Sequence, residues 1–185
     1  PEGAFQFLAG QPGDLLDHLG PQDMVAFTGS AKTGQLVRSH PNLLANSVRV
    51  RVEADSVNAH VLADDAENDS AAYDQFLQNI VTDLTQKAGQ KCTAVRRILV
   101  PEGRIEEVVE DLKGQVERLK VGNGREKDTR IAALTDQRQL EAALAGIEAL
   151  KAHAEVVTGG ERVGDTGAFL APTLLVAKDG EADVL

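Results

Sequence analysis

A single thiol, Cys92, stands in the run Ala88-Gly89-Gln90-Lys91-Cys92-Thr93-Ala94. Lys87, Lys91, Arg96 and Arg97 surround it in sequence, and neighbouring cations favour the thiolate, the nucleophilic form of cysteine. The run follows a helix-like stretch and a glycine, so the thiol need not sit inside a helix. A lone cysteine is equally at home as a small buried apolar residue. Glu53 ends the alternating run Val48-Arg49-Val50-Arg51-Val52 and precedes Ala54-Asp55-Ser56. A carboxylate at a strand end facing a cleft can act as a general base, above all where partial burial lifts its pKa. A solvated loop acid has the same signature. The third feature is Phe27-Thr28-Gly29-Ser30-Ala31-Lys32-Thr33-Gly34, placed where a strand turns into a helix. Glycine there permits close backbone approach, and the free N–H groups of a first helical turn attract an anion such as a cofactor pyrophosphate. An ordinary turn N-capped by Ser30 accounts for the same residues. His18, His40, His60 and His153 show no metal-ligand spacing, and with one cysteine no metal site is expected.

The elements that must hold these residues read as α/β throughout. Residues 5–8 are a short apolar run between Gly3 and Gly10, arriving as if into a strand already under way. Residues 14–19 read as a short helix, 24–27 as an apolar strand, 31–39 as a helix, 40–42 as a loop, and 48–52 as a strand with one drier face. Strand, helix and strand in that order suggest a βαβ arrangement with parallel pairing. Residues 63–70 (ADDAENDS) are an acidic surface loop. Tyr73, Phe76, Leu77, Ile80, Val81 and Leu84 recur at helical steps up to Ala88-Gly89, and Ile105, Val108, Val109, Leu112, Val116 and Leu119 repeat the pattern. A strand is expected over 98–100 between them. A third helix is expected over 136–152 with Thr135 as its N-cap, then strands over 155–158 and 173–177, after which the chain stops without a closing element. Pro1 stands where an initiator Met would be, so a piece of a longer polypeptide is expected.

Composition narrows the function. Nineteen Lys and Arg against 29 Asp and Glu give a net charge of −10, which repels a phosphate backbone and argues against a nucleic-acid partner. No apolar run approaches the roughly 18 residues that span a bilayer, and no signal segment opens the chain, so no membrane partner is expected. The lone Cys92 excludes an intrachain disulfide and fits a reducing, cytoplasmic setting. With no Trp, one Tyr and five Phe, the core must be built mainly from aliphatic side chains.

Taken together and in order, Phe27-Thr28-Gly29-Ser30 with Gly34, then Glu53, then Gly89-Gln90-Lys91-Cys92-Thr93 resemble the aldehyde dehydrogenase superfamily. The narrower likeness is to the dehydrogenase part of the bifunctional ring-opening enzymes of phenylacetate degradation and to the semialdehyde dehydrogenases of the aerobic benzoyl-CoA route. Residues 47–58 (SVRVRVEADSVN), 87–101 (KAGQKCTAVRRILVP) and 167–175 (GAFLAPTLL) carry it. Where most of the family has Leu-Gly-Gly-Lys after the general base, this chain reads Ala54-Asp55-Ser56, a departure shared with that branch.

The resemblance implies Cys92 as nucleophile and Glu53 as general base, with Gly29 and Ser30 meeting a dinucleotide (NADP or NAD), Gly34 on the helix below, and the Ala54 carbonyl meeting the nicotinamide amide. The implied fold is the end of a Rossmann-like cofactor domain over residues 1–55, then the first part of an α/β catalytic domain over 56–185. The implied substrate is a small-molecule aldehyde linked to CoA, and the intact protein is expected to be a homo-oligomer. The family's upstream oxyanion-hole Asn, upstream ribose-contacting Lys and downstream Glu have no counterpart in this sequence, so by itself the chain is expected to bind dinucleotide poorly and turn over little. Two other readings stand beside this one. A CoA-acylating dehydrogenase would not need the base that Glu53 offers, and a non-catalytic α/β interaction module would bury an inert Cys92.

Overall fold

In the computed structural model, which describes residues 2–178, the chain divides into two units, Pro1–Ser56 and Val57–Leu185. The first is built on strands β1 (Met24–Gly29) and β2 (Arg49–Ala54), joined by helices α1 (Ala31–Arg38) and α2 (Pro41–Ala45). The strands pair in parallel, Met24 opposite Arg49 through to Gly29 opposite Ala54, as strand–helix–strand order requires. Gly34 is buried because α1 lies directly on β2: a Cβ there would come within 2.6 Å of Val52 Cγ1. Helix α2 replaces the expected loop over 40–42. Pro41 at its first position lacks only an N–H that a first helical turn leaves unbonded anyway.

The expected strand over residues 5–8 does not form. Phe5 is 87% and Phe7 82% exposed, and among the described residues no strand offers these residues a ladder. Residues 15–18 make a single 3-10 turn where a short helix is expected.

In the second unit, β3 (Asn58–Val61) and β4 (Val95–Leu99) pair in parallel, with helix α3 (Ala71–Thr85) crossing between them. Ser70 caps α3 by accepting the Tyr73 N–H at 3.2 Å. Tyr73, Phe76, Leu77 and Ile80 then fall on one face and are buried together with Leu62 and with Val108 and Leu112 of helix α4 (Ile105–Val116). The Tyr73 hydroxyl donates to Asp111 Oδ2 at 2.7 Å, joining α3 to α4 at the rim of this cluster. Leu112 is 2% exposed at its centre. Leu112→Ala is expected to cost about 2–5 kcal/mol, read as a lower urea midpoint, because a packed aliphatic site collapses poorly around the missing methyls. A midpoint within error of the parent would contradict that packing.

The remaining elements are α5 (Gln137–Leu150) and an antiparallel pair, β5 (Ala154–Thr158) and β6 (Leu174–Ala177). The expected N-cap of α5 shifts by one residue. Asp136 Oδ1 accepts the Gln139 N–H at 2.9 Å, and that bond, helped by Arg138, holds the Asp136 carboxyl below its ordinary pKa. Other boundaries move as well. Helix α3 stops at Thr85 rather than at Gly89, α4 at Val116 rather than Leu119, and β4 begins at Val95 rather than Ile98. The expected lack of a closing element concerns residues 179–185, which lie outside the described residues. The architecture is α/β. Among the described residues no helix is long and apolar enough to cross a membrane, and no cluster of His, Cys, Asp or Glu could hold a metal.

Candidate active site

In the first unit, Thr28 lies opposite Glu53 and Gly29 opposite Ala54 at the carboxyl ends of two parallel strands, the edge where open α/β sheets receive ligands. The Asp55 N–H extends the ladder by donating to the Gly29 carbonyl at 3.1 Å, although Asp55 itself has a left-handed φ of 52°. The chain then leaves β1 through Ser30, whose hydroxyl oxygen accepts the Thr33 N–H at 3.2 Å and caps α1. The Phe27 ring folds over the Gly29 backbone, so that a Cβ at Gly29 would meet the tip of the ring at 2.5 Å. The first turn of α1 carries Lys32 and no acidic residue, so its electrostatics suit an anion. The structure therefore brings Gly29, Ser30, Gly34, Glu53 and Ala54 to one end of one βαβ unit. Glu53 sits within β2, one residue before its end, on the exposed face that it shares with Arg49 and Arg51. Its side chain is exposed rather than part-buried.

Cys92 belongs to the second unit. It is exposed, in a turn over residues 91–94 immediately before β4, which removes the premise of a buried, inert thiol. Lys87, Ala88 and Gly89 take left-handed φ values of 53°, 52° and 70°, a contorted entry that isolated non-glycine residues disfavour by about 1 kcal/mol each. The turn is pinned from several directions. Asn58, at the start of β3, donates from Nδ2 to the Cys92 carbonyl at 2.6 Å and to the Ala94 carbonyl at 3.1 Å. A bulge between Asn58 and Ala59 accompanies this placement. Arg96 donates to the Gly89 carbonyl at 2.8 Å, and Arg97 to the Val57 carbonyl at 2.7 Å. Gln90 Oε1 accepts both the N–H and the hydroxyl of Thr135, at 2.8 and 2.9 Å, which is why Thr135 does not cap α5.

Three of the cations near Cys92 in sequence are thus engaged elsewhere: Arg96 and Arg97 on backbone carbonyls, and Lys91 on the side-chain oxygens of Asp83 and Gln86 at 2.6 Å each. A groove of about 550 Å³ runs beside the turn, lined in part by Gly89, Gln90, Arg96 and Thr135, but Cys92 is not in its lining. Asp83 and Thr135 carry no motif in sequence, standing 9 and 43 residues from Cys92, and Asn58, 34 residues away, only closes the run 47–58; folding alone reveals that they meet the turn. Asn58→Ala is expected to cost about 1–3 kcal/mol for its two lost bonds. A lowered urea midpoint would register that cost, and a parent-like midpoint would refute the clasping role.

The chain matches the family described as the aldehyde dehydrogenase family over residues 1–185. It is 41% identical to the 3,4-dehydroadipyl-CoA semialdehyde dehydrogenase of Aromatoleum evansii, over 98% of this chain and 37% of the relative. It is 33% identical to a mitochondrial aldehyde dehydrogenase of Leishmania tarentolae, over 94% of this chain and 34% of that one. The chain thus spans about a third of the length of these curated relatives. Among solved structures, betaine aldehyde dehydrogenase of Staphylococcus aureus in complex with NAD+ superposes with a TM-score of 0.74 at 26% identity, covering 83% of this chain and 30% of that one. A point mutant of aldehyde dehydrogenase from Bacillus cereus gives 0.74 at 30% identity, covering 88% and 32%. The α/β units, the exposed thiol turn and the match along the whole sequence lead to one conclusion: this chain belongs to the aldehyde dehydrogenase family.

Proposed function

We propose that this chain is the nucleophile-bearing segment of a longer NAD(P)-dependent dehydrogenase that oxidises a CoA-linked semialdehyde to its acid in aromatic-acid catabolism. The observation that carries the reading is the exposed Cys92 on a turn clasped from β3 and α3. The substrate class is supported by the likeness to a CoA-semialdehyde dehydrogenase along nearly the whole chain. Residues 1–55 are assigned to the end of the cofactor domain and 56–185 to the start of the catalytic domain, and the division between Ser56 and Val57 supports that boundary. The intact protein is read as a cytoplasmic homo-oligomer.

The chain's residues suit a dinucleotide. Gly29 lets the backbone approach, Ser30 and the α1 N-terminus offer N–H groups without an opposing acid, Gly34 seats α1 on β2, and the Ala54 carbonyl is assigned to the nicotinamide amide. NADP is favoured over NAD on the family branch. When bound, the nicotinamide accepts two electrons as hydride.

The Cys92 thiolate forms a C–S bond to the aldehyde carbon while the carbonyl pair moves onto oxygen. Among the described residues no acceptor takes the Cys92 N–H, which leaves it available to the oxyanion. Collapse of the adduct re-forms C=O, expels hydride and leaves a Cys92 thioester. Glu53 then takes a proton from water, the new oxygen bonds to carbon, the C–S bond breaks, and acid and thiol are released.

A product assay on the full-length polypeptide tests the reading. A CoA-linked semialdehyde with NADP is expected to give reduced dinucleotide and free acid in equal amounts. A thioester product formed only with added CoA would point to the acylating alternative. No dinucleotide reduction with any aldehyde would overturn the reading.

A further inference from the structure

We propose that Asp83 and Lys91 form a positioning clasp for the Cys92 thiol, in which one carboxylate of α3 ties down both ends of the turn that carries it. The inference rests on the reading of Cys92 as nucleophile. Asp83 Oδ1 accepts from Lys91 Nζ at 2.6 Å, one residue before the cysteine, and Asp83 Oδ2 accepts the Val95 N–H at 3.1 Å, three residues after it. Lys91 also donates to Gln86 Oε1 at 2.6 Å, so its ammonium is held between two oxygens near the C-terminal end of the same helix.

This pair differs from an ordinary surface ion pair, which contributes little. Its side chains are 18% and 23% exposed, against 49% and 73% for the Lys151–Glu148 pair. The hydrogen bond from Lys91, aided by the Val95 N–H, holds the Asp83 carboxyl below its usual range although burial opposes it, so the carboxylate stays ionised at neutral pH. Helix α3 is anchored by Tyr73, Phe76, Leu77 and Ile80 in the core, so the carboxylate is a fixed reference point. The chain between α3 and the turn runs through three left-handed residues and has no regular ladder of its own. A tether from outside the segment is what such a turn needs to aim a sulfur reproducibly. Asn58 supplies it from the β3 side, and Asp83 supplies it from the helix side.

The test uses Asp83→Asn and Lys91→Met in the full-length polypeptide, with Lys151→Met as a control. Rapid mixing with excess semialdehyde and NADP reads the burst of dinucleotide reduction. The burst rate is expected to fall about 10- to 100-fold in both variants, the scale of a nucleophile misplaced by about 1 Å. Burst amplitude, which counts folded sites, and KM for the aldehyde are expected to stay near parent values. Lys91→Arg is expected to recover most of the rate.

Alkylation of Cys92 by iodoacetamide, which needs a thiolate but no alignment with bound substrate, is expected to change far less than the burst. Parent-like burst rates in both variants would overturn the clasp. So would a fall in alkylation that tracks the burst, since the pair would then act on thiol ionisation. If variants lose amplitude while surviving sites burst at the parent rate, the role is folding alone and the proposal fails. Cys92→Ser separates the two claims. If it still oxidises aldehyde, the nucleophile reading falls; if it is inactive while Asp83→Asn bursts normally, only the clasp falls.

Discussion

Cys92→Ala in the full-length polypeptide is expected to abolish aldehyde oxidation, lowering kcat by at least about 10⁴-fold, the scale on which loss of a covalent nucleophile is felt. The expectation follows from chemistry rather than from stability. Cys92 is exposed in a turn whose carbonyls, not its sulfur, carry the hydrogen bonds from Asn58. Removing the sulfur leaves Asn58, Asp83, Arg96 and Gln90 with every partner described here, so the folded population should be retained. A direct hydride transfer from the aldehyde hydrate would bypass the sulfur, but without an adduct nothing holds the carbonyl carbon in place. Parent-level turnover with a normal urea midpoint would remove Cys92 from the reaction. Lost turnover with a lowered midpoint would call for Cys92→Ser, which nearly preserves the volume.

Much of the fold is legible because its signals are local. The βαβ order, the Ser30 cap, and the steps of three and four along α3 and α4 follow from residue type and period, and all of them are observed. The elements that escape sequence reasoning are those fixed by distant partners. Strand β3 has four residues, Asn-Ala-His-Val, too few and too polar to announce a strand; its pairing with β4 creates it. Thr135 precedes a helix as a cap would, yet Gln90, 45 residues earlier, captures both its donors and leaves the cap to Asp136.

Residues 5–8 look like a strand by hydrophobicity, but a strand needs a partner edge, and none among the described residues meets them. The site divides in the same way. Cys92, Glu53 and the Gly29-Ser30 turn stand out as residue types in context. The cations around Cys92 read as electrostatic activators, whereas Lys91, Arg96 and Arg97 are turned onto Asp83 and onto backbone carbonyls. Sequence proximity to a thiol does not tell which acceptor a long basic side chain will reach.

Glu53→Gln is expected to split the reaction in two. The first turnover, attack by Cys92 and dinucleotide reduction, does not require the carboxylate and should appear as a burst of near-parent rate. Hydrolysis of the thioester does require a proton acceptor for water, and glutamine at neutral pH is not one, so the steady state should fall about 10²–10⁴-fold. The substitution suits its position. Glu53 lies on the exposed face of β2, and its backbone pairs with Thr28 whatever the side chain, so an isosteric amide should leave β1 and β2 in register. Because the carboxylate is exposed rather than buried, its loss opens no cavity and leaves no hydrogen-bonded charge unpaired. A burst followed by a stall, with acylated enzyme found by intact-protein mass, would assign Glu53 to deacylation. A burst equally slowed would assign it instead to activating the thiol. An unchanged steady state would remove it from the mechanism and leave hydrolysis to another base. Added CoA offers a further discrimination: if it relieves the stall and yields a thioester product, the acyl group on Cys92 is accessible to an external thiol, and the carboxylate is what directs the intermediate to acid.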